Sequence, residues 1–396
     1  MKQKLSTGIL SCGGHLDYPL GQPENPPICY STAYYFDDLN AYDEINSERS
    51  KGYFYSRVQN PNRDCLADAL NYLEGSENSL LFPSGMAAIS TALMTFAHQG
   101  DHVLACREIY GETVDLLDGL LVNFGIEVTY VDFTDLEQVK AAIRPNTTVF
   151  YAEVVSNPLM HVVDIWAVSQ LAKSRGIHFL VDNTFMTPIA IRPLDFGVDV
   201  VIHSLTKFIN GHSDVCAGAV SGSAETIKLI LHTQMHLGCI LDPNSSWMVL
   251  RSIRTLNLRM ERAMRNAQFL AEQLEKDIHV RQVNYPGLSS HPQHELAKRI
   301  FSNGNGAILS FLVENNFEKV NQFVRSLNHI RYLGSLGGYS TTLTHPATSF
   351  RYEFSPEKLL EMGMEEGLIR ISTGIEDPED LWMELREGLK IFDPVR

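Results

Sequence analysis

The chain has no Cys-x-x-Cys pair, no apolar stretch of bilayer length and no excess of positive charge. Each absence removes a class of protein. The six cysteines, Cys12, Cys29, Cys65, Cys106, Cys216 and Cys239, are scattered through 396 residues. Neither a disulfide framework nor a zinc site is therefore expected, and the thiols read as reduced groups in a cytoplasmic protein. A membrane-spanning helix needs about 20 consecutive apolar residues, and no such run exists. A formal net charge of −15, with 20% charged residues, offers no broad basic surface to nucleic acid or to an anionic membrane. The opening Met1-Lys2-Gln3-Lys4-Leu5-Ser6 lacks an apolar core behind its lysines, so no secretory signal is expected there. Internal repeats and low-complexity tracts are also missing.

What is present is 44% hydrophobic residues, enough for a large core and more than one domain. Residues 1–62 are rich in Pro, Tyr, Asn and Gly and weakly periodic. With Pro23, Pro26, Pro27 and the Tyr34-Tyr35-Phe36 cluster they read as an irregular arm that docks on something. Residues 63–250 alternate between short apolar runs (79–82, 102–106, 127–131, 148–152, 178–181 and 200–203) and helical segments such as 86–98, 110–124 and 165–175. That alternation predicts an α/β fold, a mostly parallel central sheet with crossover helices. Ligands of such folds bind at the carboxyl ends of the strands. From about Trp247 the pattern changes to a long helix over 247–274 and apolar strands over 307–313 and 368–372. Residues 251–396 read as a smaller C-terminal α+β domain.

The chemistry centres on His203-Ser204-Leu205-Thr206-Lys207-Phe208, followed by Gly211-His212-Ser213-Asp214. Lys207 alone could be a solvated loop residue; its company argues otherwise. Pyridoxal 5′-phosphate (PLP) needs a lysine for a Schiff base, an acid facing its pyridine nitrogen, and donors for its phosphate. Asp182 ends the apolar run 178–181 and can be that acid, or simply cap the next turn. Ser84-Gly85-Met86 stands where a strand turns into a helix, whose free N–H groups favour phosphate, although an ordinary helix cap looks the same. His203 and His212 flank the lysine; hydrogen bonding or packing is expected of them, and no metal is assigned.

These segments resemble the Cys/Met-metabolism PLP enzymes of fold type I, which include methionine γ-lyase, the cystathionine lyases, cystathionine γ-synthase and the O-acylhomoserine sulfhydrylases. The matching motifs run from Tyr55-Ser56-Arg57 and Ser84-Gly85-Met86-Ala87-Ala88 through Tyr110-Gly111 and Ser156-Asn157-Pro158. They continue with Asp182-Asn183-Thr184, the Lys207 segment, Ser335-Leu336-Gly337-Gly338, His345-Pro346 and Arg370-Ile371-Ser372. The resemblance implies the fold type I PLP-dependent transferase-like architecture. It also implies that Lys207 holds the cofactor and, once freed, carries protons between Cα, Cβ and Cγ of an amino-acid substrate. Asp182 would face the pyridine nitrogen, Asn157 the ring's 3′-oxygen, and Ser84, Gly85, Met86, Ser204 and Thr206 the phosphate. Tyr110 would stack on the ring and act as acid–base. Arg370, assisted by Ser335, would hold the substrate carboxylate, with Asn157 and Tyr55 nearby. Tyr55 and Arg57 would reach the phosphate of a neighbouring subunit, in a homotetramer built from dimers with shared active sites.

Departures from the family pattern bear on substrate choice. Asp115 stands where cystathionine-handling members often place an Arg for the substrate's distal carboxylate, and Ser340 replaces a Glu of the Ser-Leu-Gly-Gly segment. Glu112 takes a position that is usually Gly or Cys. An acidic approach near Tyr110 suits a neutral or cationic side chain. The resemblance so modified implies γ-elimination from a γ-substituted L-amino acid, methionine γ-lyase-like, with γ-replacement on an activated homoserine, or loss of a non-thiol group such as halide, as the alternatives.

Overall fold

The computed structural model describes residues 4–13, 23–47, 49–351 and 355–395. Met1, Lys2 and Gln3 of the opening segment, and parts of the N-terminal arm, lie outside the described residues. Seven strands form the larger sheet: β1 (Asn78–Phe82), β2 (His102–Cys106), β3 (Glu127–Val131), β4 (Thr147–Glu153), β5 (His178–Asp182), β6 (Val200–Ser204) and β7 (Gly218–Gly222). Their order is β1-β7-β6-β5-β4-β2-β3. β2 is buried at every position and β4 at all but one. A strand covered on both faces has no polar side to display, which is why these segments read as unbroken apolar runs. Each large apolar side chain fully buried there, such as Phe150 and Phe179, contributes on the order of 1.5–3 kcal/mol.

The expected mostly parallel sheet is found: β3, β2, β4, β5 and β6 run parallel, and β7 runs antiparallel to both β6 and β1. Its sequence, Gly-Ala-Val-Ser-Gly, carries no apolar signature, and packing explains the glycines. A Cβ on Gly218 would lie 2.1 Å from the Ser84 carbonyl oxygen, and one on Gly222 2.7 Å from that of Asp199. β7 is thereby pressed against the turn that leads out of β1.

The single helix expected over 247–274 is two, Pro243–Ile253 and Leu256–Lys276. The break falls at Arg254, whose guanidinium reaches back to the carbonyls of Ile9, Cys12 and Gly13 at 2.8, 2.6 and 3.1 Å. The segment expected as one helix over 110–124 is helical only over Gly111–Asp115, then widens to a π-helical stretch, Leu116–Leu121, and ends in a tight 3₁₀ turn, Val122–Phe124.

A second sheet has the order β10-β11-β12-β9-β8, from β8 (Gln282–Asn284), β9 (Ile308–Leu312), β10 (Arg331–Tyr332), β11 (Thr342–Thr344) and β12 (Leu368–Ser372). It has its own core, which includes Leu270, Tyr285, Phe311, Phe323, Ile369 and Leu385. β12 lies between β11 and β9, fully buried, with Arg370 at its centre opposite Thr344 and Ser310. No helix among the described residues is long and apolar enough to cross a membrane.

Candidate active site

The carboxyl ends of β1, β2, β4, β5 and β6 open onto one cavity of about 290 Å³, and β11, β12 and the 334–350 segment close its other side. Burial and hydrogen bonding assign each wall a distinct chemistry.

One end is built of donors. Ser84 caps the helix Gly85–Phe96, its Oγ accepting the Ala87 N–H at 3.0 Å. The first N–H groups of a helix have no partner within it, and Gly85 and Met86 both line the cavity. Gly85 is required because a Cβ there would sit 2.9 Å from that of Ser204. Only glycine lets the end of β6 come so near the helix start. The Ser204 and Thr206 hydroxyls complete this corner. The Thr206 hydroxyl accepts the Ala217 N–H at 3.0 Å and donates to the Ala217 carbonyl at 3.2 Å, so an anion would compete with Ala217 for its hydrogen.

Lys207 follows on the loop after β6, half-buried, its Nζ donating to Ser335 Oγ at 2.7 Å. Gly337, at φ +77°, packs on the lysine's own backbone, where a Cβ would lie 2.5 Å from the Phe208 nitrogen. Burial, with Arg370 nearby, lowers the Lys207 pKa below the ordinary 10.5. A lowered value means that the neutral, nucleophilic amine is populated at lower pH than on a free lysine. Cofactor capture by protein stripped of PLP is therefore expected to speed up with pH and to level off below pH 10.5. Stopped-flow absorbance checks this, and a profile still rising above that value would contradict it.

Two carboxylates stand opposite. Asp182 ends β5 and accepts the Thr184 N–H at 2.8 Å. Glu153 ends β4, directly across the ladder from Asp182, and accepts the Tyr110 N–H at 2.6 Å. Burial raises both pKa values, and the neighbouring Asp182 charge adds to the shift of Glu153. Tyr110, 45% exposed, stands at the cavity mouth. Glu153 was not among the expected site residues; a carboxylate ending an otherwise apolar strand was its available signal.

Arg370 is the cation of the opposite wall, only 8% exposed. It donates from Nη1 to Asn157 Oδ1 at 2.8 Å and from Nη2 to Thr344 Oγ1 at 3.1 Å, while Nε is buried without a partner among the described residues. Burial brings its pKa down to about 10. Thr344 is a second residue that sequence reasoning missed. Ser335, expected to assist Arg370, here takes its hydrogen bond from Lys207 instead.

Other expected residues lie away from the cavity within one chain. Tyr55 and Arg57 are exposed: the Arg57 guanidinium rests 5.6 Å from the Tyr55 ring centre and donates to the Met235 carbonyl at 3.1 Å. Glu112 and Asp115, on the short helix after Tyr110, and Ser340 are exposed and do not line the cavity. His203 is buried against Glu74, and His212 bonds the Asn210 carbonyl at 2.6 Å and Ser252 Oγ at 3.2 Å.

These residues suit PLP. The glycine-lined helix start, held open by the absence of a Cβ, offers amide donors to a phosphate, with two hydroxyls beside it. The half-buried Asp182 carboxylate matches a protonated pyridine nitrogen, and the Lys207 amine matches an aldehyde. Arg370, with a buried Nε awaiting an acceptor, suits a carboxylate.

Residues 7–390 match the Cys/Met metabolism PLP-dependent enzyme family. The chain is 41% identical to cystathionine β-lyase MetC of Bacillus subtilis over 93% of its length and 92% of that protein. It is 38% identical to L-methionine γ-lyase of Porphyromonas gingivalis, covering 92% of each. The structure of cystathionine γ-lyase from Lactobacillus plantarum, complexed with L-serine, superposes with a TM-score of 0.91 at 33% identity, over 98% of this chain and 99% of that one.

Proposed function

We propose, for a chain that belongs to the Cys/Met metabolism PLP-dependent enzyme family, γ-elimination from a γ-substituted L-amino acid with a single carboxylate, consuming one water and releasing the protonated γ substituent, ammonia and a 2-oxoacid. The observation that carries this reading is the guanidinium count of the cavity: Arg370 is the only one among the described lining residues of the single chain, and an Arg57 from a second copy would be engaged by the cofactor phosphate. One guanidinium pairs with the α-carboxylate. A second carboxylate, such as the one at the far end of cystathionine, would meet the apolar wall of Val155, Phe185, Leu336, Pro346 and Phe350, and burying it there unpaired is costly.

PLP, when bound, supplies a sink for the electrons left at the substrate's Cα. The chain supplies the rest. Arg370 grips the carboxylate through its fork, with Asn157 and Thr344 fixing the plane of the guanidinium. Lys207, its pKa lowered by burial and Arg370, takes and returns protons at Cα, Cβ and Cγ. Tyr110 takes a proton from the substrate amine and hands one to the departing group. Asp182 keeps the pyridine nitrogen protonated. The same reading has Tyr55 and Arg57 completing the cavity of a second copy, in a homotetramer built from dimers. A monomeric and fully active protein in sedimentation would refute that part.

A second reading, γ-replacement, is favoured by the open mouth beside the exposed Tyr110, which can admit a nucleophile. The discriminating experiment is a substrate panel of methionine, homocysteine, cystathionine, γ-halogenated amino acids, and O-acylhomoserines with and without thiol, followed by mass spectrometry. A 2-oxoacid is expected from substrates without a distal carboxylate, with kcat/KM at least about tenfold above that for cystathionine, a preference of about 1.4 kcal/mol. Products that form only with added thiol, or a preference for cystathionine, would overturn the elimination reading.

A further inference from the structure

We propose that Glu108 is a positioning residue that fastens the loop carrying Tyr110 to the loop carrying Asn157. The two loops leave β2 and β4, which are neighbours in the sheet. Glu108 lies two residues before Tyr110, outside the cavity. Its carboxylate accepts the hydroxyl hydrogen of Ser156, the residue before Asn157, and also faces His161 Nδ1 at 2.9 and 3.0 Å. Ser156 and His161 are in turn closed on each other: the Ser156 N–H donates to the His161 carbonyl at 2.8 Å, and the His161 N–H to Ser156 Oγ at 3.0 Å. Through these two residues the turn that presents Asn157 is tied to the loop that carries Tyr110.

A serine, a histidine and an acid together invite a nucleophilic reading, and the geometry argues against it. Ser156 gives its hydrogen to Glu108 rather than to the imidazole, and the adjoining cavity of about 20 Å³ has room for roughly one water. The cluster has no space for a substrate. Its hydrogen bond to Glu108 also holds His161 above the ordinary imidazole value, so the pair gains charge-assisted strength.

The Asn157 loop has separate anchors on its other side. The Pro158 carbonyl accepts Ser310 Oγ of β9 at 2.7 Å, and the Val162 N–H donates to Gln293 at 3.0 Å. These leave Asn157 and Arg370 in register without any help from Glu108. On the β2 side, Tyr110 is held by its N–H bond to Glu153 and, two residues earlier, by Glu108. Removing Glu108 should thus loosen the proton-transferring tyrosine and leave the carboxylate grip in place.

The inference rests on the roles proposed for Tyr110 and Asn157, and its test has a readout independent of turnover. Glu108→Ala is compared with Glu108→Gln, which keeps one acceptor for Ser156. Hydrogen exchange by mass spectrometry should show residues 107–113 and 155–163 exchanging faster in Glu108→Ala, with other peptides unchanged and Glu108→Gln in between. On whichever substrate the panel identifies, kcat should fall about ten- to a hundredfold in Glu108→Ala, with KM within about threefold and largely restored in Glu108→Gln. Unchanged exchange in both loops, or an unchanged kcat, would overturn the proposal, as would acceleration spread evenly over the protein. If no panel substrate turns over, the proposed function fails while the exchange comparison still decides the role of Glu108.

Discussion

Lys207→Ala should yield a colourless protein whose turnover is lower by at least about a thousandfold, the scale set by losing a group that acts covalently and as acid–base. Wild-type protein should be yellow and should be bleached by borohydride with the cofactor fixed to Lys207. The variant should keep neither property after gel filtration. Loss of folding is not the expected cause. Lys207 is a half-buried amine whose charged form is disfavoured by its surroundings, and alanine removes its hydrogen bond to Ser335. The thermal midpoint should therefore stay close to wild type. An unchanged visible spectrum in Lys207→Ala would remove the assignment on which every other role depends.

Arg370 carries the second large effect. Removing one partner of a buried charge pair costs about 3–5 kcal/mol, so Arg370→Ala should lower kcat/KM by roughly a hundred- to several-thousandfold. Arg370→Lys should recover little of this. A lysine can neither reproduce the fork that bonds Asn157 and Thr344 from two nitrogens nor present a second, parallel N–H to a carboxylate. Both variants should remain yellow, because Arg370 lies on β12, across the cavity from the donors that suit the phosphate. Steady-state kinetics with absorbance at each step distinguishes this outcome from cofactor loss. Wild-type kcat/KM in Arg370→Lys would contradict the proposed grip.

Much of this site is legible in the sequence because its parts sit at the ends of apolar runs. Asp182 and Lys207 are found where β5 and β6 stop, and Ser84-Gly85-Met86 where β1 turns into a helix. β7 is not legible, because its glycines answer to the Ser84 carbonyl and the Asp199 carbonyl rather than to any periodic pattern. The break at Arg254 is hidden for a similar reason: its partners lie in residues 9–13, far outside any local window. Glu153, Thr344 and Glu108 gain meaning only from neighbours that the sheets supply. Glu112, Asp115 and Ser340 show the reverse, since residues prominent in the sequence pattern are turned to the surface in the single chain. Spacing says which residues share an element, and packing decides which of them share a cavity.

The loop that bears Lys207 is bounded by Ser204 and Gly218, which face each other across the β6–β7 ladder, and it is stitched again between Thr206 and Ala217. Its ends are near neighbours along the chain, so closing it forfeits little conformational entropy. Arg370 meets Asn157 across 213 residues, and the loop that contact closes is among the most expensive the chain makes. The amine's perch is a local structure that the polypeptide can fashion from its own vicinity. The guanidinium's grip exists only once distant parts of the chain have found each other, so of the cavity's two sides it is the one most exposed to any error in assembling the second sheet.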